Sequence, residues 1–157
     1  MHIRLLLLSL VAIIVPVSMA SARIITPSTP DEFKLLIADF TTMLYDSHGT
    51  QVEYNAANGK TYLWYPGNPE IVRGQWKLKR NGKSVDICFK YPAGATTGRV
   101  AGDWQCQGVQ PYLDGARQRS PGDGLRLSKT KAAPFVLKRE KTSIPALAQQ
   151  LFAAGRR

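Results

Sequence analysis

Residues able to do chemistry are few in this sequence and far apart. His48 is the one histidine beyond the first two residues, and it stands in the run Asp46-Ser47-His48. An acid, a hydroxyl and an imidazole are the parts of a nucleophilic triad, but triad members converge from separate elements, because neighbours in a turn point in different directions. His48 therefore reads as an exposed turn residue. Three carboxylates, Asp103, Asp114 and Asp123, fall in or beside loops. They are the candidates for a glycosidase pair, which needs two carboxylates facing each other across a cleft. Their spacing singles out no pair, and Asp114-Gly115 and Asp123-Gly124 are first of all turn dipeptides. The sequence has no phosphate-binding glycine loop, nucleophile elbow or metalloprotease helix. The reading is a non-enzymatic protein with no catalytic residue, cofactor or metal site.

Binding chemistry is better represented. Tyr62, Trp64 and Tyr65 can stack on sugar rings or bases, and with Arg73 they make a mixed aromatic and basic surface. Residues 62 and 64 share one face of a strand and 65 lies on the other, so at least one side is core. Lys77, Lys79, Arg80 and Lys83 form the densest basic cluster. The chain carries a formal charge of +10. Such a protein meets anionic glycan, lipopolysaccharide and membrane surfaces; specific nucleic-acid binding is not expected, since the charges form no dense block.

The compartment follows from the N-terminus. Arg4 precedes an apolar run from Leu5 to Val17, with small residues at Ala20 and Ala22, the pattern of a secretory signal peptide. That run is short of the ~20 residues a spanning helix needs. A signal over residues 1–22 leaves residues 23–157 as a single β-rich domain of the periplasm or the secreted pool, 157 − 22 = 135 residues long. Its charge is 20 basic residues (21 less Arg4) minus 11 acidic, or +9. In an oxidising compartment the two cysteines, Cys88 and Cys106, are expected to be bonded to each other.

The elements that must position these residues centre on Trp76 to Phe89. Asn81-Gly82 is a strong hairpin signal, and a turn on those two residues pairs Leu78 with Val85, Trp76 with Ile87, Gly74 with Phe89 and Lys77 with Asp86. Upstream, Thr29-Pro30 and Glu32 form a capping box, and apolar spacing predicts a helix from Pro30 to Leu44. Strands are predicted over Gln51 to Tyr54, Thr61 to Tyr65, Asp103 to Cys106 and, at an edge, Phe135 to Leu137. Asn58-Gly59 marks a second hairpin, and Gln107 to Gly124 reads as a loop with at most a short strand. A last helix begins at Ser143 and stops at Gly155. Bonded cysteines place Trp104 on the Cys88 side of the sheet and Trp76 on the other, so both faces should be covered.

Leu63-Trp64-Tyr65-Pro66-Gly67-Asn68, Gly74-Gln75-Trp76, Cys88-Phe89, Trp104-Gln105-Cys106, Gly122-Asp123 and Pro134-Phe135-Val136-Leu137 together resemble a family of small exported Gram-negative bacterial proteins of unknown function. The resemblance spans roughly Gln51 to Leu137 and implies export, a β-rich core and the Cys88 to Cys106 bridge, but no activity. The fold class expected is α+β: one domain with a mainly antiparallel sheet or small barrel, and an N-terminal and a C-terminal helix packed on it. The function expected is binding or envelope-accessory, directed at an anionic partner. The alternatives are a hydrolase of envelope polymers and an inhibitor of an envelope-attacking enzyme.

Overall fold

The computed structural model describes residues 26–93 and 102–155. The expected signal peptide lies outside them. Seven strands form one antiparallel sheet: β1 (Phe40–Asp46), β2 (Gly49–Asn55), β3 (Lys60–Trp64), β4 (Val72–Asn81), β5 (Ser84–Lys90), β6 (Gln105–Gly108) and β7 (Gln118–Pro121). The spatial order is β6-β5-β4-β3-β2-β1-β7, a meander to which the last strand returns beside the first. Among the described residues three helices accompany it, α1 (Pro30–Ile37), α2 (Val109–Asp114) and α3 (Ile144–Ala154).

Period-two alternation gives each face its own core. One face buries Met43, Val52, Tyr62 and Trp64 under Leu125, Leu127 and Leu137 of the late loops and Ile144 and Leu147 of α3. The other, called the inner face below, buries Trp76, Val85, Ile87 and Phe89 under Phe33 and Ile37 of α1 and Val109 and Tyr112 of α2. A tryptophan sits in each core, as double coverage requires. Ser143 caps α3, its hydroxyl accepting from Ala146 N at 3.2 Å, and Gly155 ends the helix.

Several sequence expectations are corrected. No helix runs from Pro30 to Leu44. Thr29 and Glu32 close their capping box, but α1 ends at Ile37 and Asp39 turns at φ 57°. Thr41 and Thr42 then favour β structure, and Phe40 and Leu44 belong to β1. The apolar spacing crossed a boundary that one left-handed residue imposes. Gln107 to Gly124 holds helix α2 as well as strand β7. Phe135 to Leu137 forms no strand; Phe135 meets Trp64 edge-on at 4.9 Å and Leu137 is core.

The central hairpin forms two residues out of the expected register. Asn81 pairs with Ser84, Arg80 with Val85, Leu78 with Ile87 and Trp76 with Phe89, so Gly82 and Lys83 make the turn. Gly82 has φ 58° while Lys83 is not left-handed. That matches a turn with glycine at its first central position only. A slip of two residues keeps each side chain on its face, so apolar pairing survives and the charge pair moves: Lys79, not Lys77, faces Asp86. Cys88 and Cys106 lie directly opposite each other on β5 and β6 and are bonded. Trp104 falls on the Cys88 side, under Lys77 Nζ at 4.0 Å from the ring centroid.

Replacing Gly82 by valine forces a β-branched residue to positive φ and should cost about 1–2 kcal/mol. A lowered denaturant midpoint is the expected result; an unchanged one would reject the Gly82–Lys83 turn.

Candidate functional site

Polar side chains on the inner face are concentrated on β1, β2 and β3. Glu53 lies opposite Thr42 across β1–β2, and Asn55 opposite Thr61 across β2–β3. Glu53 is only 4% exposed. The Thr61 hydroxyl donates to Glu53 Oε1 at 2.8 Å and lies 2.9 Å from Asn55 Oδ1. Asn55 Nδ2 donates to the Tyr112 hydroxyl at 3.0 Å, which ties α2 to the strands. The Tyr91 hydroxyl also donates to Glu53 Oε1.

Tyr91 reaches Glu53 by crossing the sheet over Gly74. A Cβ at position 74 would stand 2.6 Å from Tyr91 Cδ1 and 2.7 Å from the Lys90 carbonyl oxygen, so only glycine leaves the ring its path. The backbone angle is not the reason, since Gly74 is not left-handed.

Burial governs the electrostatics. It raises the Glu53 carboxyl from its ordinary 4.5 to about 7, against the opposing pull of the Tyr91 and Thr61 hydrogen bonds. Burial first, and then the neighbouring Glu53 charge, push Tyr91 and Tyr112 upward too. Both phenols stay protonated at neutral pH and Tyr91 keeps its proton to donate. A carboxyl titrating near neutrality can accept or donate a hydrogen bond.

Glu53, Tyr91 and Tyr112 of this network line a cleft of about 770 Å³. Leu44, Leu63, Phe89 and Tyr112 supply apolar wall, while Gln51, Gln105 and Gln107 supply amides. Arg139 closes one rim with its guanidinium on the Ser47 carbonyl at 2.6 Å. His48 stands at the same rim, its Nδ1 3.2 Å from Asp46 Oδ1 and both side chains exposed, an acid-imidazole contact within one turn and no triad.

The structure separates the residues picked out from the sequence. Of the three loop carboxylates only Asp103 lines the cleft. Asp114 accepts from Gln110 Nε2 at 2.8 Å on α2, and Asp123 accepts from the backbone of Leu127 at 2.7 Å and Ser128 at 2.9 Å, holding a turn. Of the aromatics, Tyr65 lines the cleft. Trp64 is wholly buried in the opposite core, and Tyr62, 9% exposed, belongs to that core too. Arg73 stacks 5.8 Å from the Tyr62 ring centroid and donates to the Thr130 carbonyl at 3.2 Å. Lys77 lies on Trp104, whereas Lys79, Arg80 and Lys83 are exposed at the hairpin tip. Among the described residues no group of three or more His, Cys, Asp or Glu is placed to hold a metal ion.

Sequence reasoning missed Glu53, Asn55, Thr61, Tyr91 and Tyr112. Gln51, Glu53 and Asn55 alternate with Val52 and Tyr54, which by itself reads as a solvent-facing polar edge. The signal that contradicts this was present: a tryptophan on each face covers both faces, which puts the polar side of β2 indoors. No protein-family model, curated protein or solved structure gives a significant match to the chain.

Between pH 4.5 and about 7 the folded protein holds a proton on Glu53 that the unfolded chain releases. Stability should therefore fall as pH rises through that window, by on the order of 3 kcal/mol in all. Urea midpoints at pH 5 and pH 8 should show this loss for the parent and not for Glu53→Gln. Equal pH dependence in the two proteins would contradict the assignment.

Proposed function

We propose that this is an exported, non-enzymatic binding protein that seats a small ligand in the inner-face cleft and meets an anionic partner through its outer surface. The observation that carries the reading is the cleft itself, a concavity of about 770 Å³ with apolar walls and a hydrogen-bonding floor. Ligand sites of soluble proteins have this composition and size. The ligand that suits it is a small molecule with an apolar body and several hydroxyl or amide groups. The cleft is not where an anion belongs: Asp46, Glu53 and Asp103 line it against Arg139 alone among its arginines and lysines. Export rests on the N-terminal pattern and agrees with the Cys88–Cys106 bond.

Membership of the exported family that the motifs resemble is part of the same proposal. What supports it is that Gly74, Trp76, Cys88 and Cys106 hold structural positions in the sheet. A second reading, hydrolysis of envelope polymers, is favoured by one observation: Glu53, with its carboxyl near neutrality, shares the cleft with Asp103. General acids are tuned in this way. Binding ranks first because Thr61 and Tyr91 already occupy Glu53 Oε1.

Two experiments decide between them. Thermal-shift and NMR screening of glycans and small amides should find a ligand whose affinity drops about tenfold in Tyr65→Ala; the absence of any ligand that perturbs cleft residues would reject the binding reading. Incubation with cell-wall polymers should leave them uncleaved. Cleavage that Glu53→Gln and Asp103→Asn each abolish would move the hydrolase reading to first place.

A further inference from the structure

The outer face carries a second concavity, at the strand ends opposite the hairpin tip. It measures about 400 Å³ and is lined by Lys60, Tyr62, Arg73, Gln75 and Lys90. Lys60, Gln75 and Lys90 lie directly across from one another on β3, β4 and β5, and Arg73 lies across from Tyr62 in the next row of the same face. Two strand spacings put the lysine backbones about 9.5 Å apart, with Gln75 between them. We propose that this hollow binds a phosphate or sulfate ester, gripped by Lys60, Arg73 and Lys90 over the buried Tyr62 ring. The proposal rests on the anionic-partner half of the function given above and assigns it a place.

Three features distinguish the hollow from the rest of a basic surface. The first is compensation. Along the same face of β4, Lys77 is covered by Trp104 and Lys79 stands opposite Asp86. By contrast no carboxylate lines the hollow. The second is shape. A hairpin tip is convex and offers an anion one side chain at a time, whereas a hollow lets three donors converge. The third is pre-organisation: Arg73 is held by the Tyr62 ring and by the Thr130 carbonyl, so less rotamer freedom is lost when an ester binds. Like charges gathered without counter-charge repel, and a tetrahedral oxyanion among them relieves the repulsion.

Either of two sources can present such a group, a soluble phosphorylated saccharide or a phospholipid headgroup. The test uses glucose 1-phosphate and vesicles of phosphatidylglycerol in phosphatidylcholine as probes, with glucose and pure phosphatidylcholine as blanks, at low and at about 150 mM salt. It compares the parent with Lys60→Gln/Arg73→Gln/Lys90→Gln and with a tip variant of equal charge change, Lys79→Gln/Arg80→Gln/Lys83→Gln. The expected result at the higher salt is a loss of tenfold or more in the hollow variant and of less than threefold in the tip variant. The exposed Lys60→Gln alone should weaken binding about threefold without touching either core. Whichever probe binds names the source. Equal losses in both triple variants, or loss in the tip variant only, overturn the hollow and leave the anionic partner standing. Failure of the parent to bind either probe at low salt overturns both.

Discussion

A carboxyl group with one face of the sheet closed over it is the constraint on which the inner half of this structure depends. Glu53 cannot stand bare in that environment, because an unsatisfied buried carboxyl costs several times what a single hydrogen bond contributes. Its donors come from two directions, Thr61 on the neighbouring strand and Tyr91 just beyond β5. Tyr91 can arrive only because Gly74 has no side chain. Asn55 extends the network to Tyr112 and so fixes α2 over the sheet. One acidic residue thus accounts for a glycine, a tyrosine and the docking of a helix, and its hydrogen bonds shape the floor of the cleft.

The two faces are built for different chemistry. Strand β4 serves both, since Gly74, Trp76 and Leu78 alternate with Arg73, Gln75, Lys77 and Lys79. The inner face gathers the carboxylates that line the cleft, while the outer face of β3, β4 and β5 carries Lys60, Arg73, Lys77, Lys79 and Lys90. The Cys88–Cys106 bond joins β5 to the short edge strand β6, which bears Gln105 and Gln107 of the cleft wall. Closing a loop of that span stabilises the fold by about 3 kcal/mol in the chain-entropy model. Its more specific effect is to hold one cleft wall in register.

Much of this architecture was legible in the sequence, and the failures have physical causes. Hairpins, the cysteine pair, the last helix with its Ser143 cap and the placement of Trp104 follow from local chemistry and strand parity. The hairpin register missed by two because Gly82 can serve as the first central residue of one tight turn as well as the second of another, and parity cannot distinguish slips of two. The first helix was overextended because Phe40 and Leu44 keep helical spacing, while the left-handed Asp39 that ends it carries no such pattern. The site was the least legible part. A buried glutamate looks like an exposed one until the coverage of both faces is known, and Tyr91 becomes its partner only through the packing over Gly74.

The most direct measurement is the titration of the Glu53 carboxyl by carbon-13 NMR. The chain has only four glutamates, so Glu53→Gln identifies the signal without ambiguity. The account predicts that this one carboxyl titrates near 7. A Glu53 midpoint near 4.5 would contradict it, for it would mean that water reaches the carboxylate and that the inner face is not organised around a buried acid.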